Sequence, residues 1–398
     1  MKCELPHKGP RDSGDDTISH RVQPKENSSA HISLVCPEMK RYDVSRKVLR
    51  RSGHFRDRFD HTNYCTRMSG IPDECVVLIE AESPGPRLSW CFPSIGDAAD
   101  AVSVLAARAQ LLGGPLTKPT FVWFRWKSKF YYALAKERHK NDLLLSDDVK
   151  RYAVLVGSPV FDPERYQAML QVLMRAYCAE WSPIALLQRV LTLATKGVAS
   201  APGGADFHRK SYSAETAKTA CPLGAMIKRI GAEGIATLWA AILLRARVAV
   251  VAEEPMAQLD VLRCLPLLAT QRSAWESLRP LCALEPPQLE ELQRAGGYVA
   301  GFVTFVPVEL YDVLLDARSG EVKCSISGAH LSLPPSLVIA VKEALKKGSA
   351  SMEGGEKALA DALAAKTVEI LAHKGNAPAE WKDFLDRLQK AESIGAAA

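Results

Sequence analysis

An α/β fold is predicted by three observations. From Cys75 onward, short β-branched and aromatic runs alternate with amphipathic helical runs. A second strand–helix series starts beyond a Gly/Ala/Ser/Thr-rich stretch at 198–222, and from Pro334 the chain turns helical and charged. At 398 residues the length suits about two to three packed units. Hydrophobic residues at 47% and charged residues at 24% are ordinary globular values, so the chain is neither collagen-like, coiled-coil nor disordered as a whole.

Residues 1–74 stand apart, rich in Arg, Lys, His, Ser and Asp without hydrophobic periodicity, and are predicted to be a disordered N-terminal extension. Five histidines with Cys3, Cys36 and Cys65 invite a zinc reading, but no pair has the short ligand spacing of a tetrahedral site. Met68 precedes the first strand-like run as a native initiator would. Residues 1–67 are therefore read as an extension that is either real or an artefact of the gene model, and peptides detected upstream of Met68 would rule out the artefact.

Val76 to Ile79 and Leu88 to Phe92 are expected to pair as a hairpin about a Pro-Gly-Pro turn. A helix over 98–112 should bury Val102, Leu105, Ala109 and Leu112. Aromatic strands at 121–126 and 130–134 flank a Lys-Ser-Lys turn, and an apolar strand spans 152–156. Asp162 as N-cap, Pro163 in the first turn and Glu164 near the positive end of the dipole announce a helix with Tyr166, Met169, Leu170, Leu173, Met174 and Tyr177 inward. Ser182-Pro183 opens another, predicted to bury Ile184, Leu187, Val190, Leu191 and Ala194 and to end at Lys196-Gly197. These make a unit of 75–197, a small sheet covered by helices.

After the linker, a helix at 232–244, a strand at 248–251, a helix near 256–270 and strand-like runs at 298–303 and 310–315 define a second unit of 223–330. The apolar run from Ile235 to Ala252 is broken by Arg245 and Arg247, each costly at a bilayer centre, so it reads as a buried helix and a strand. Residues 331–398 form a helical module, with Leu359, Leu363 and Ile370 on one face and Trp381, Phe384 and Leu385 anchoring a further helix.

Chemistry is sparse. No G-x-G-x-x-G follows a strand, Gly348 to Lys357 departs from a P-loop, and neither G-x-S-x-G nor H-E-x-x-H occurs. His139, His208, His330 and His373 are isolated, and Asp147-Asp148 and Glu253-Glu254 read as solvated loop ends. No cofactor, metal or side-chain catalysis is indicated, and hydrolase, transferase and oxidoreductase classes are disfavoured. A net charge of +6, without aromatics interleaved among the basic residues, disfavours nucleic acid. The polar N-terminus and ten cysteines without C-x-x-C pairs point to a cytosolic, reducing compartment, with Cys91, Cys178, Cys264 and Cys282 in apolar patterns. Gly297 and Gly301 are expected to permit close backbone packing rather than phosphate binding.

A protein without catalytic groups works through its surfaces, where aromatics dominate binding energy. Trp90, Phe92, Trp123, Phe124, Trp126, Tyr131 and Tyr132 lie on neighbouring strands, and alternation sends roughly half of them away from the helices unless all pack in the core. Trp90, Phe92, Trp123 and Trp126 are the candidate partner-binding residues.

The segments Trp90-Cys91-Phe92-Pro93-Ser94, Phe161-Asp162-Pro163-Glu164-Arg165-Tyr166, Ser182-Pro183 with Thr195-Lys196-Gly197, Gly297-Tyr298-Val299-Ala300-Gly301-Phe302-Val303 and Leu310-Tyr311-Asp312-Val313 together resemble the DENN-domain family, in the family's order and over about 76–390. The resemblance implies a tripartite DENN module: a longin-like N-terminal lobe, a central α/β lobe and a helical C-terminal module. It implies a regulator of Rab small GTPases, either a guanine-nucleotide exchange factor of late endosomes or a noncatalytic scaffold subunit of a Commander-type endosomal sorting complex with coiled-coil partners, in both cases peripheral to the endosomal membrane. Exchange needs no catalytic side chain, because a binder that prefers the nucleotide-free GTPase lowers nucleotide affinity by linkage. The implied GTPase interface draws on both the 75–197 and 223–330 units.

Overall fold

The computed structural model describes residues 74–95, 98–112, 116–139, 142, 144–213, 220–270, 277–303, 305–350, 355–372 and 378–396. The expected extension over 1–74 lies outside them except for Glu74. The description that follows concerns these residues only.

A first sheet is built from β1 (Cys75–Glu82), β2 (Gly85–Phe92), β3 (Thr120–Trp126), β4 (Lys129–Glu137) and β5 (Val149–Ser158), in the order β2-β1-β5-β4-β3. All four pairings are antiparallel, and the expected β1–β2 hairpin sets Val76 opposite Phe92 and Leu78 opposite Trp90. Helix α1 (Ala98–Arg108) joins β2 to β3, and α2 (Pro163–Glu180) and α3 (Pro183–Lys196) follow β5. The α1 helix is shorter than its sequence pattern suggested. Gln110 turns left-handed at φ 63°, and Leu112 is left 53% exposed.

Local capping explains the other two helices. Asp162 accepts a hydrogen bond from the Arg165 backbone N–H at 3.1 Å, and Ser182 accepts one from Ile184 N–H at 3.2 Å, each ahead of a first-turn proline. Gly197 ends α3 at φ 69°, a left-handed geometry that suits glycine. The inward face of α3 nevertheless differs from the expected stripe. Ala185, Leu186, Val190 and Leu193 are buried, whereas Ile184 is 64% and Leu191 45% exposed. The helix is rotated by about one residue, roughly 100° of arc, because it packs chiefly on α2 and the start of the following segment and touches the sheet at its β2 edge.

Residues 198–208 carry a two-stranded pairing, β6 (Val198–Ala199) with β7 (Phe207–His208), where the sequence suggested only a linker. Helix α4 (Leu223–Leu243) follows, kinked at Gly231 (φ 78°, ψ 162°), then β8 (Arg247–Val251), α5 (Pro255–Cys264) with a 3-10 continuation to Ala269, β9 (Leu278–Cys282), α6 (Pro286–Arg294), β10 (Tyr298–Phe302), β11 (Val313–Asp316) and β12 (Val322–Cys324). The second sheet is ordered β12-β11-β8-β10-β9, with β11, β8, β10 and β9 parallel and β12 antiparallel at the edge. Strand β10 is buried throughout and the apolar residues of β8, β9 and β11 are buried except for half-buried Val251 and Leu314, as strands covered on both faces must be.

Gly301 lies in the middle of β10 under α5, where an added Cβ would stand 2.3 Å from Gln258 Oε1 and 2.6 Å from Leu262 Cδ1. At Gly297 it would meet the Arg245 carbonyl at 1.9 Å. Both glycines therefore serve close packing, as their spacing in an apolar run suggested.

Three C-terminal helices, α7 (Pro335–Ala350), α8 (Gly355–Ala372) and α9 (Lys382–Ala396), pack against α4. Trp239 of α4 donates its indole N–H to Thr367 at 3.0 Å and stacks on Phe384 at 5.6 Å. One hydrophobic core runs from the first sheet through α4 into these helices, and a smaller one, with Tyr298, Ala300, Phe302 and Leu310, lies on the other face of the second sheet. The two sheets approach edge to edge, β3 beside β9, and Arg263 of α5 forms a largely buried ion pair with Glu164 of α2.

Candidate interaction surfaces

The four aromatic candidates do not form one patch. Trp90 and Phe92 sit on edge strand β2, whereas Trp123 and Trp126 sit on the opposite edge, β3. Trp123 is only 2% exposed, packed edge-on against Phe161 at 4.8 Å and Phe130 at 6.5 Å. It is a core residue and cannot meet a partner in this conformation. Of the two readings of these strand aromatics, packing in the core is the one Trp123 follows, because the sheet is covered on both faces. Tyr132, opposite Trp123, stacks on Tyr166 of α2, while Phe124 on the other face lies under Arg108 of α1.

Trp126 is half-buried at the end of β3, with Tyr131 edge-on at 5.7 Å and the Lys127 ammonium 4.6 Å from its ring. Trp90 and Phe92 are also half-buried and stack with ring centroids 6.4 Å apart. Phe92 points toward Val76, Met169, Val190 and Leu193, so α3 partly roofs this pair. Beyond that roof the outer face of α3 presents Ile184, Leu187 and Leu191 at offsets of three and seven, an apolar stripe at helix-packing spacing.

An apolar groove lies beside the second sheet, at residues not among the sequence-predicted candidates. Phe305 on its wall is 81% exposed. The groove, of about 190 Å³, is walled by Val251, Phe305, Val306, Tyr311 and Leu314 and rimmed by Asp316, Glu321 and Lys323. The run Phe302 to Val308 is apolar enough to pass for a strand and its flank. Its exposure follows from β10 ending at Phe302, which leaves the segment beyond without a ladder.

The groove stands on a fixed platform. Asp312 accepts hydrogen bonds from Arg247 N–H at 2.9 Å, the Arg247 guanidinium at 2.8 Å and the Ser327 hydroxyl at 2.8 Å. These donors hold its carboxyl below the ordinary aspartate range despite burial, and Asp312 in turn holds Arg247 above its ordinary value. The Tyr298 hydroxyl donates to the Leu310 carbonyl, and burial raises that phenol to about 12. The segment 310–313 next to the groove is thus clamped to β8 and β10. Among the described residues no three His, Cys, Asp or Glu side chains converge as metal ligands, and no helix is long and apolar enough to cross a membrane.

No protein-family model matches the chain. Individual proteins do. The chain is 27% identical over 327 residues to DENN domain-containing protein 10 of Danio rerio, covering 77% of this chain and 92% of that protein. It is 26% identical over 302 residues to the Homo sapiens protein of that name, covering 75% and 83%, and 26% identical over 271 residues to that of Dictyostelium discoideum, covering 64% and 73%. The chain is a relative of DENN domain-containing protein 10. This likeness is consistent with membership of the DENN-domain family, and the chain is α/β as the family resemblance implied.

Proposed function

We propose that this DENN relative regulates Rab small GTPases as a guanine-nucleotide exchange factor. The observation that carries the reading is the likeness to DENN domain-containing protein 10 across about three quarters of the chain. A five-stranded antiparallel sheet with its helices, over 75–197, supports a longin-like lobe; the parallel sheet within 223–330 supports a central DENN lobe; the helices of 331–398 support the C-terminal module. The Phe305 groove offers an apolar surface of the kind that the switch regions of a GTPase could cover. The exchange factor would act by binding the nucleotide-free GTPase better than the loaded one, while phosphates and Mg²⁺ stay on the GTPase. Work at late endosomes as a peripheral cytoplasmic protein fits this reading. Purified protein should accelerate GDP release from at least one member of a Rab panel, and a flat response across the panel refutes exchange.

A second reading is a noncatalytic scaffold subunit of a Commander-type endosomal sorting complex. The Ile184–Leu187–Leu191 stripe beside the Trp90–Phe92 pair favours it, because an apolar stripe at three- and four-residue spacing suits packing against a coiled-coil helix. Ile184→Glu with Leu191→Glu should then abolish co-purification with coiled-coil subunits while leaving the fold intact; unchanged co-purification removes this surface.

A further inference from the structure

Two buried cysteines meet at the junction of the lobes. Cys221, two residues ahead of α4, is 1% exposed, and Cys264, the last residue of α5, is 0% exposed. The Cys264 thiol lies within hydrogen-bonding reach of Cys221 Sγ. Arg263 donates from Nε to Cys221 Sγ at 3.4 Å, the Cys221 thiol donates to the Arg263 carbonyl at 3.5 Å, and the Cys264 thiol donates to the Asp260 carbonyl at 3.1 Å. The other end of this guanidinium pairs with Glu164 of α2.

Such surroundings are unlike those of a cysteine used as a small hydrophobe. Burial raises the thiols of Cys75, Cys91, Cys178, Cys282 and Cys324, to about 11 for Cys91 and about 12 for Cys282. At Cys221 the thiol is lowered instead, by the Cys264 hydrogen bond first and by the Arg263 charge next, and Cys264 correspondingly keeps its proton. The Arg263 guanidinium on Cys221 Sγ makes that sulfur the nucleophile and leaves Cys264 as the resolving thiol.

We propose that Cys221 and Cys264 form a reversible dithiol–disulfide pair that links the start of α4 to the end of α5 and makes the lobe junction redox-sensitive. With a hydroperoxide as oxidant, the Cys221 thiolate attacks one peroxide oxygen, the O–O bond breaks and hydroxide leaves. Cys264 sulfur then attacks the sulfenic sulfur, the S–O bond breaks, and the departing oxygen takes up the thiol proton to leave as water. Two thiols and one peroxide become one disulfide and two waters; an external dithiol reverses it. Burial makes opening of the chain around Cys221 the step that admits oxidant. Oxidation removes the sulfur acceptor from Arg263 and leaves Glu164 as its anionic partner there, so the change is felt at the ion pair that joins α5 to α2.

The full chain is exposed to hydrogen peroxide, blocked with an alkylating agent under denaturing conditions and digested without reduction. The expected product is a peptide pair joined through Cys221 and Cys264, about 2 Da lighter than the two thiol peptides combined and separated again by dithiothreitol. In C264S, Cys221 should stop at the sulfenic acid and be captured by a 1,3-dione. Recovery of both residues as alkylated thiols after oxidant has modified the exposed Cys324 overturns the proposal, as does linkage of either to another cysteine. The wild-type map decides the matter even if C264S does not fold.

Discussion

Phe305→Asp is the substitution that most directly separates a docking surface from an incidental one. Phe305 is 81% exposed, so about 160 Å² of a side chain that offers roughly 200 Å² is available to a partner. At about 25 cal/mol per Å², complete burial would contribute at most about 4 kcal/mol. Ordering and desolvation on association reduce this, and about 2 kcal/mol, a central hot-spot value, corresponds to roughly 30-fold in affinity. Because the side chain faces solvent, the effect on folding should stay within about 0.5 kcal/mol. The assay pairs a thermal melt with GDP release from a Rab that responds to the wild type, measured below saturation. A normal melt with exchange reduced by an order of magnitude or more supports the groove as the GTPase surface. A normal melt with unchanged exchange refutes that placement.

Other parts of the molecule carry their own tests. Charged replacements at Trp90 and Phe92 should weaken co-purification with coiled-coil subunits if the second reading holds, with far-UV circular dichroism confirming that β2 has survived. Gly301→Ala places a methyl 2.3 Å from Gln258 Oε1 and should cost about 1–3 kcal/mol, read as a lower urea midpoint; an unchanged midpoint would mean that α5 can retreat from β10. The depressed Asp312 carboxyl contributes stability that is present above the unfolded aspartate value near 4 and is lost as pH falls through the lower folded value. Asp312→Asn should cost about 2 kcal/mol at neutral pH by removing the carboxylate from Arg247, which keeps the Glu309 carbonyl and the Ser327 hydroxyl, and the stability gap to wild type should narrow in acid; a constant gap from pH 7 to pH 3 would contradict the assignment.

What the sequence made legible was what local chemistry decides. Asp162-Pro163 and Ser182-Pro183 start helices because a capping oxygen and a proline satisfy the first turn whatever surrounds them. Gly297 and Gly301 announced close contact because a missing Cβ has few other uses within an apolar strand. The elements that escaped notice break local rules. Strand β9 contains Arg279 and Pro280 and holds Leu281 at φ 52°, so neither alternation nor β-propensity marks it; its place comes from parallel pairing with β10. Helix α6 is polar and short, with only Leu289 and Leu292 facing inward, and β12 has three residues, so neither stands out from a loop until the sheet it flanks is in place.

The candidate site was less legible for a related reason: exposure belongs to the assembled layers rather than to the strand. Alternation correctly puts Trp123 and Phe124 on opposite faces of β3, yet α2 covers one face and α1 the other, so both are buried. Conversely, Ile184 and Leu191 lie within a helical pattern that looks internal, and a rotation of about one residue turns them outward. Phe305 follows the same logic, since its segment is apolar but continues past the end of the ladder that would have buried it. Apolar side chains left outside after three layers have closed are a stronger sign of a partner than aromatics in a strand, because they remain after the core has taken all that its own elements can cover. That reasoning moves the search from Trp123 to two places, the outer stripe of α3 and the groove at Phe305. It also makes the two readings separable, since the stripe lies on α3 beside the first sheet and the groove lies beside the second. Loss of coiled-coil binding without loss of exchange, or the reverse, would assign each surface its own partner.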